Sequence, residues 1–121
     1  MVTLTEHLVK AKTRIDNLYH IKNLNVWGSD LSNVRVVRDM PNVEVLSLSV
    51  NKISSLEDFG WCPKLRELYL RKNEVRDFAE LEHLHPLQNL QVLWLSENPI
   101  AEHQQYRLAV IACCPRLVCD A

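Results

Sequence analysis

Residues 90–100, LQVLWLSENPI, set Leu93 and Leu95 on one side of a two-residue alternation and Trp94 on the other. A strand turns successive side chains to opposite faces, so the two leucines share a face and the indole points away from it. Three other stretches have the same spacing. They are IKNLNVWGSDL from Ile21, VEVLSLSVNKI from Val43 and LRELYLRKNEV from Leu65. The four starts, at 21, 43, 65 and 90, lie 22, 22 and 25 residues apart.

The shared pattern is L-x-x-L-x-L-x-x-N-x-L with aliphatic substitutions, which is the leucine-rich-repeat spacing. It predicts an α/β fold: a short right-handed solenoid with a parallel concave sheet and helical caps at both ends. One domain spans residues 1–121, with a cap over 1–20, four repeats over 21–100 and a second cap over 101–121. Leu46 and Leu48, Leu68 and Leu70, and Leu93 and Leu95 form the core face. Leu56 with Phe59, and Phe78 with Leu81, stand three apart, the spacing of short helical or 3₁₀ turns on the convex side. The three extra residues before the last repeat fall near His83-Leu84-His85-Pro86, where proline suits an inserted loop. Asn51, Asn73 and Asn98 are expected to form a ladder whose amides satisfy backbone groups freed as the chain leaves each strand. Ser29 holds that position in the first repeat and makes a weaker rung.

An end repeat exposes an apolar face and needs a cap. Thr3 and Glu6 have capping-box spacing, and Leu4, Leu8, Ala11, Ile15 and Leu18 follow at helical steps. Tyr106, Val110 and Cys113 or Cys114 form a second stripe. Pro115 ends it, and Arg116-Leu117-Val118 is expected to add a last strand.

Composition narrows the function. The formal net charge is −1, so the basic excess of a direct nucleic-acid binder is missing. Cys62, Cys113, Cys114 and Cys119 form no C-x-x-C and no disulfide framework, which favours a reducing compartment. The N-terminus has no signal-peptide run, and no stretch approaches the ~20 apolar residues of a membrane span. A cytosolic protein that does not enter a membrane is expected.

Catalytic readings fail on residue types. With only Gly28 and Gly60, no loop can offer a glycine-rich phosphate cradle, and no G-x-S-x-G is present. His83 and His85, two apart in the inserted loop, would need a third ligand to hold a metal, and a solvated loop is the plainer reading. Cys113, Cys114 and Cys119 with His103 make a poor zinc site, because adjacent helical cysteines point about 100° apart. No enzyme activity, cofactor or metal is expected. Recognition remains. Asn23, Asn25 and Trp27, then Val45, Ser47 and Ser49, then Glu67, Tyr69 and Arg71, then Val92, Trp94 and Ser96 face outward along the sheet. Aromatics and arginine are the residue types enriched at binding hot spots. Trp27, Val45, Ser47, Glu67, Tyr69, Arg71, Val92 and Trp94 are therefore the candidate protein-binding residues. The competing reading packs Trp94 beneath a flanking loop or the C-terminal cap.

LNVWGSDLSNV (24–34), MPNVEVLSLSVNKISSLEDF (40–59), LRELYLRKN (65–73) and LWLSENP (93–99) together resemble one family. It is the N-terminal leucine-rich-repeat domain of the cilia- and flagella-associated protein 410 family. The tail from Tyr106-Arg107 to Pro115-Arg116-Leu117 is similar to that family's terminal cap, except that Asp120 follows Leu117 one residue early, which leaves the last strand's register open. The resemblance implies a non-enzymatic protein of the cilium or flagellum, placed at the basal body in the cytoplasm and needed to assemble or maintain the organelle. It also implies a NIMA-related kinase as partner, a nuclear pool tied to DNA-damage responses, and oligomerisation through a further C-terminal region. A monomer is expected for the present segment. The 22-residue period also resembles repeat adaptors of a phosphatase, an axonemal dynein or a spliceosomal RNA complex.

Overall fold

A computed structural model describes residues 1–120. Five short strands form one parallel sheet: β2 (Asn23–Asn25), β4 (Val45–Ser47), β5 (Glu67–Tyr69), β6 (Val92–Trp94) and β7 (Cys119–Asp120), hydrogen-bonded in that order. Their register is strict: Leu24, Leu46, Leu68 and Leu93 pair across the sheet, with Asp120 as the last backbone partner. The paired leucines and their partners Leu48, Leu70 and Leu95 are fully buried, so the alternation in the repeats becomes one inner wall. Replacing one of them with alanine costs about 2–5 kcal/mol. The opposite wall is made of 3₁₀ turns at Arg35–Asp39, Glu57–Trp61, Phe78–Leu84 and Pro99–Glu102, which bury Val37, Phe59, Leu81, Leu84 and Ile100. Parallel sheet on one side and short helical turns on the other define a leucine-rich-repeat solenoid.

Between the walls run the asparagines. Asn73 accepts from the Ile53 N–H (3.0 Å) and donates to the Leu48 and Leu70 carbonyls (3.1 Å each). Asn51 accepts from the Ser29 and Leu31 N–H groups and donates to the Val26 and Leu48 carbonyls. Asn98 accepts from the Val75 N–H and donates to the Leu70 and Leu95 carbonyls. Each amide thus ties its own repeat to the one before. Ser29 adds no such tie; its hydroxyl donates to the Trp27 carbonyl in its own turn. The turn out of each strand also uses a left-handed residue at the same repeat position: Gly28, Val50, Lys72 and Glu97, with φ between 57° and 62°. Only the first repeat uses glycine there. Val50, a β-branched residue, is held against its own preference.

The caps differ from the pattern in detail. Helix α1 spans Glu6–Thr13, and its N-cap is Thr5, whose hydroxyl accepts from the Leu8 N–H. Thr3 instead lies in β1 (Val2–Thr3), which pairs in parallel with β3 (Leu31–Asn33). Pairing captures the residues that a capping box at Thr3 would need. Leu4 and Val9, at the two positions of a hydrophobic staple, are buried, while Ala11 is exposed. The helix stops at Arg14, which is left-handed, and Leu18 belongs to a separate 3₁₀ turn over Leu18–His20. The three extra residues near His83 lengthen the 3₁₀ turn to Phe78–Leu84 rather than forming a loop. Helix α2 (Tyr106–Cys113) packs against this turn, with Val110 and Cys114 buried. Arg116 then donates to the Leu84, His85 and Leu87 carbonyls at 2.7–3.1 Å. The Val118 and Cys119 N–H groups both donate to the Gln91 carbonyl, so ladder pairing begins only at Cys119. The last strand is accordingly Cys119–Asp120, not Arg116–Val118, and Asp120 takes the backbone register of Leu93.

Candidate protein-interaction face

The sheet's outer face carries the side chains at the third, fifth and seventh positions of each repeat. Strand register sets Tyr69 beside Trp94, and their rings meet edge to face with centroids 5.0 Å apart and planes at 86°. Such an arrangement is the preferred aromatic geometry. Trp94 keeps 37% of its surface exposed, so the indole is partly packed and partly open to solvent. The Tyr69 hydroxyl donates to Glu67 at 2.5 Å. That hydrogen bond, then partial burial, then the negative charge of Glu67 raise the tyrosine pKa above its ordinary value. The phenol is therefore protonated and hydrogen-bonded to its neighbour on the same strand.

Charged groups flank the pair. Arg71 forms an ion pair with Glu97, and Arg66 pairs with Glu44 (3.1 Å) and Glu67 (3.6 Å). These contacts are exposed and contribute little stability. Val45, Ser47 and Val92 fill the floor as half-buried residues. Register therefore brings Val45, Ser47, Glu67, Tyr69, Val92 and Trp94 together on one strip, with Arg71 one step beyond it. Trp27 stands apart. It follows the end of β2, is 63% exposed with no N-terminal segment lying over it, and is separated from Tyr69 by the repeat that carries Ser47 and Ser49.

Two clusters lie outside the pattern that marked these residues. On the convex side the Arg38 guanidinium sits 5.0 Å from the Trp61 ring centroid and donates to Asp58 (2.6 Å) and Glu57 (2.8 Å), which raises its pKa. It clamps one 3₁₀ turn to the next. At the N-terminal end of the sheet, Lys12, His20 and Lys22 line a cleft with Asn23 and Asn25. Lys22 precedes a strand and is visible in the repeat; Lys12 reaches the cleft only through the fold of the cap.

The cysteines are free thiols. Burial pushes Cys62 and Cys114 up to about 12, and the Cys113 thiol upward as well, its Sγ donating to the Leu81 carbonyl at 2.8 Å. Thiols held protonated are poor nucleophiles and poor metal ligands. His85 spends its Nδ1 on the Cys113 carbonyl, and His83 lies 3.9 Å from Glu80. Among the described residues no three His, Cys, Asp or Glu side chains gather as a metal set, and no helix is long and apolar enough to cross a membrane.

A leucine-rich-repeat solenoid with an open sheet face is a protein-interaction scaffold. The chain belongs to the leucine-rich repeat family, whose profile matches residues 25–119. Within that class it is similar to cilia- and flagella-associated protein 410 of Homo sapiens. The two are 42% identical over 116 residues, which cover 94% of this chain and 45% of the human protein. The Mus musculus protein of the same name is 40% identical over 116 residues, 94% of this chain and 47% of the mouse protein. The chain thus spans just under half the length of these curated relatives. Among solved structures, the Drosophila melanogaster SNF/U2A' complex contains a chain that matches with a TM-score of 0.69 at 21% identity, over 97% of this chain and 82% of that one. A likeness at that identity shows the fold alone.

Proposed function

We propose that this chain is a non-enzymatic recognition module of a ciliary or flagellar protein, and that it binds a partner protein through the outer face of its sheet. The observation that carries the binding reading is the Tyr69–Trp94 pair, edge to face at 5.0 Å, with Trp94 exposed on a strip of small residues. Two preordered aromatics lose little conformational freedom on binding, and aromatic anchors in such settings dominate interface energies. Glu67 and Arg71, held by Tyr69 and Glu97, set charge specificity at the margin. The ciliary reading rests on the likeness to the human and mouse proteins. It brings with it the basal body as location, organelle assembly or maintenance as role, and a NIMA-related kinase as a candidate partner.

The test is localisation of the tagged chain in ciliated cells, scored against a basal-body marker. Concentration at the base of the cilium is the expected result. A purely nuclear distribution with spliceosomal proteins would instead support the adaptor reading.

A further inference from the structure

β2 is a terminal strand of the five-stranded sheet. Its inner edge is used: the Lys22 carbonyl accepts from Glu44 and Val45, and the Val26 N–H donates to the Ser47 carbonyl. In a parallel ladder the bonding residues alternate, so Lys22, Leu24 and Val26 turn their backbone groups toward β4. Asn23 and Asn25 turn theirs to the open side. An open row of this kind is a template for another extended chain. A cleft of about 510 Å³ adjoins this strand, lined by Lys12, Thr13 and Ile15 of the N-terminal cap and, on the outer face, by Val45 and Ser47 of β4. Lys12, His20 and Lys22 all line it, and none of the ion pairs among the described residues uses any of the three. The nearest acid of the same lateral row, Glu44, is already engaged by Arg66.

We propose that this cleft takes an acidic, extended segment of a partner protein, which adds to β2 as a further strand. Its backbone would pair with the outward N–H and C=O groups of Asn23 and Asn25, as in strand-addition recognition. Its carboxylates would meet Lys12 and Lys22. The cleft shares Val45 and Ser47 with the outer strip but not Tyr69 or Trp94, so it is tested separately from that anchor.

The test titrates the ¹⁵N-labelled 121-residue chain with a blocked peptide of alternating glutamate and valine, whose acids share one face when extended. The expected result is saturable binding that shifts the Asn23 and Asn25 amide signals and slows their hydrogen exchange. Lys12→Ala/Lys22→Ala weakens it by about tenfold or more, with an otherwise unchanged spectrum, and Trp94→Ala leaves it intact. The same peptide N-methylated at alternate residues, which cannot pair along the edge, does not bind. The proposal is overturned by an absence of shifts at Asn23 and Asn25. Equal binding of the N-methylated peptide or of a lysine–valine peptide would also overturn it. So would concentration-dependent shifts without peptide, which would make a second copy of the chain the occupant.

Discussion

Asn73→Ala removes the middle rung of the asparagine ladder, and the structure fixes how much that costs. Asn73 serves one N–H and two well-placed carbonyls. The carbonyls are shared: Leu48 also accepts from Asn51 at 2.9 Å, and Leu70 also accepts from Asn98 at 2.8 Å. Only the buried Ile53 N–H therefore loses its side-chain partner outright. An orphaned buried donor costs ~1–3 kcal/mol, and the small void left by truncation adds to it, so about 2–3 kcal/mol is expected. Sharing makes a sharper claim about pairs. In Asn73→Ala/Asn98→Ala the Leu70 carbonyl loses both amide donors, so the double variant should exceed the sum of the singles by about 1 kcal/mol. Asn51 and Asn98 share no carbonyl, and that pair should add within ~0.5 kcal/mol. Urea unfolding followed by tryptophan fluorescence measures all of these. A cost below ~1 kcal/mol for Asn73→Ala, or simple additivity in the adjacent pair, would refute the ladder as a shared network.

Two further outcomes follow from packing and burial. A Cβ added at Gly60 would lie 2.8 Å from the His83 carbonyl oxygen, so Gly60→Ala should force two convex turns apart and cost ~1–3 kcal/mol, read as a lower melting temperature. At Gly28 a Cβ would meet nothing within 4 Å, and the cost there is only that of φ +62°, ~1–2 kcal/mol. Cys62 is pushed up to about 12 by burial and by Asp58. The folded protein therefore holds that proton more tightly than the unfolded chain, whose thiol titrates near 9.0. The stability it confers is complete below about pH 9 and is lost as pH rises toward about 12, at up to ~1.4 kcal/mol per pH unit. Cys62→Ala should flatten the fall of the urea midpoint between about pH 9 and about pH 10.5; an unchanged slope would contradict this.

The repeat face was legible because it depends on local period: leucines two apart and an asparagine three beyond, recurring at each repeat, dictate strand, register and ladder. That same register predicts Tyr69 beside Trp94, and they are found in ring contact. The caps were less legible, since their boundaries are decided by competition. Thr3 has the right spacing for a cap, but pairing with β3 takes it, and Thr5 caps instead. Arg116 looks like a strand residue until its guanidinium is seen to satisfy three carbonyls at and just after the end of the long 3₁₀ turn. The left-handed turn residues were hidden for another reason. Glycine marks that conformation only at Gly28, whereas Val50, Lys72 and Glu97 are driven into it by the surrounding solenoid. The cleft at Lys12 and Lys22 needed the fold of the cap, which no period in the sequence encodes.

The most direct test of the interaction face is proximity labelling in ciliated cells with wild type and with Tyr69→Ala/Arg71→Ala/Trp94→Ala, alongside a melting curve of each purified chain. These side chains touch one another and the rim, not the buried leucine wall, so the melting temperature should change little while a discrete set of ciliary partners disappears. An unchanged partner set, or a loss of partners that only accompanies a collapse in melting temperature, would contradict it.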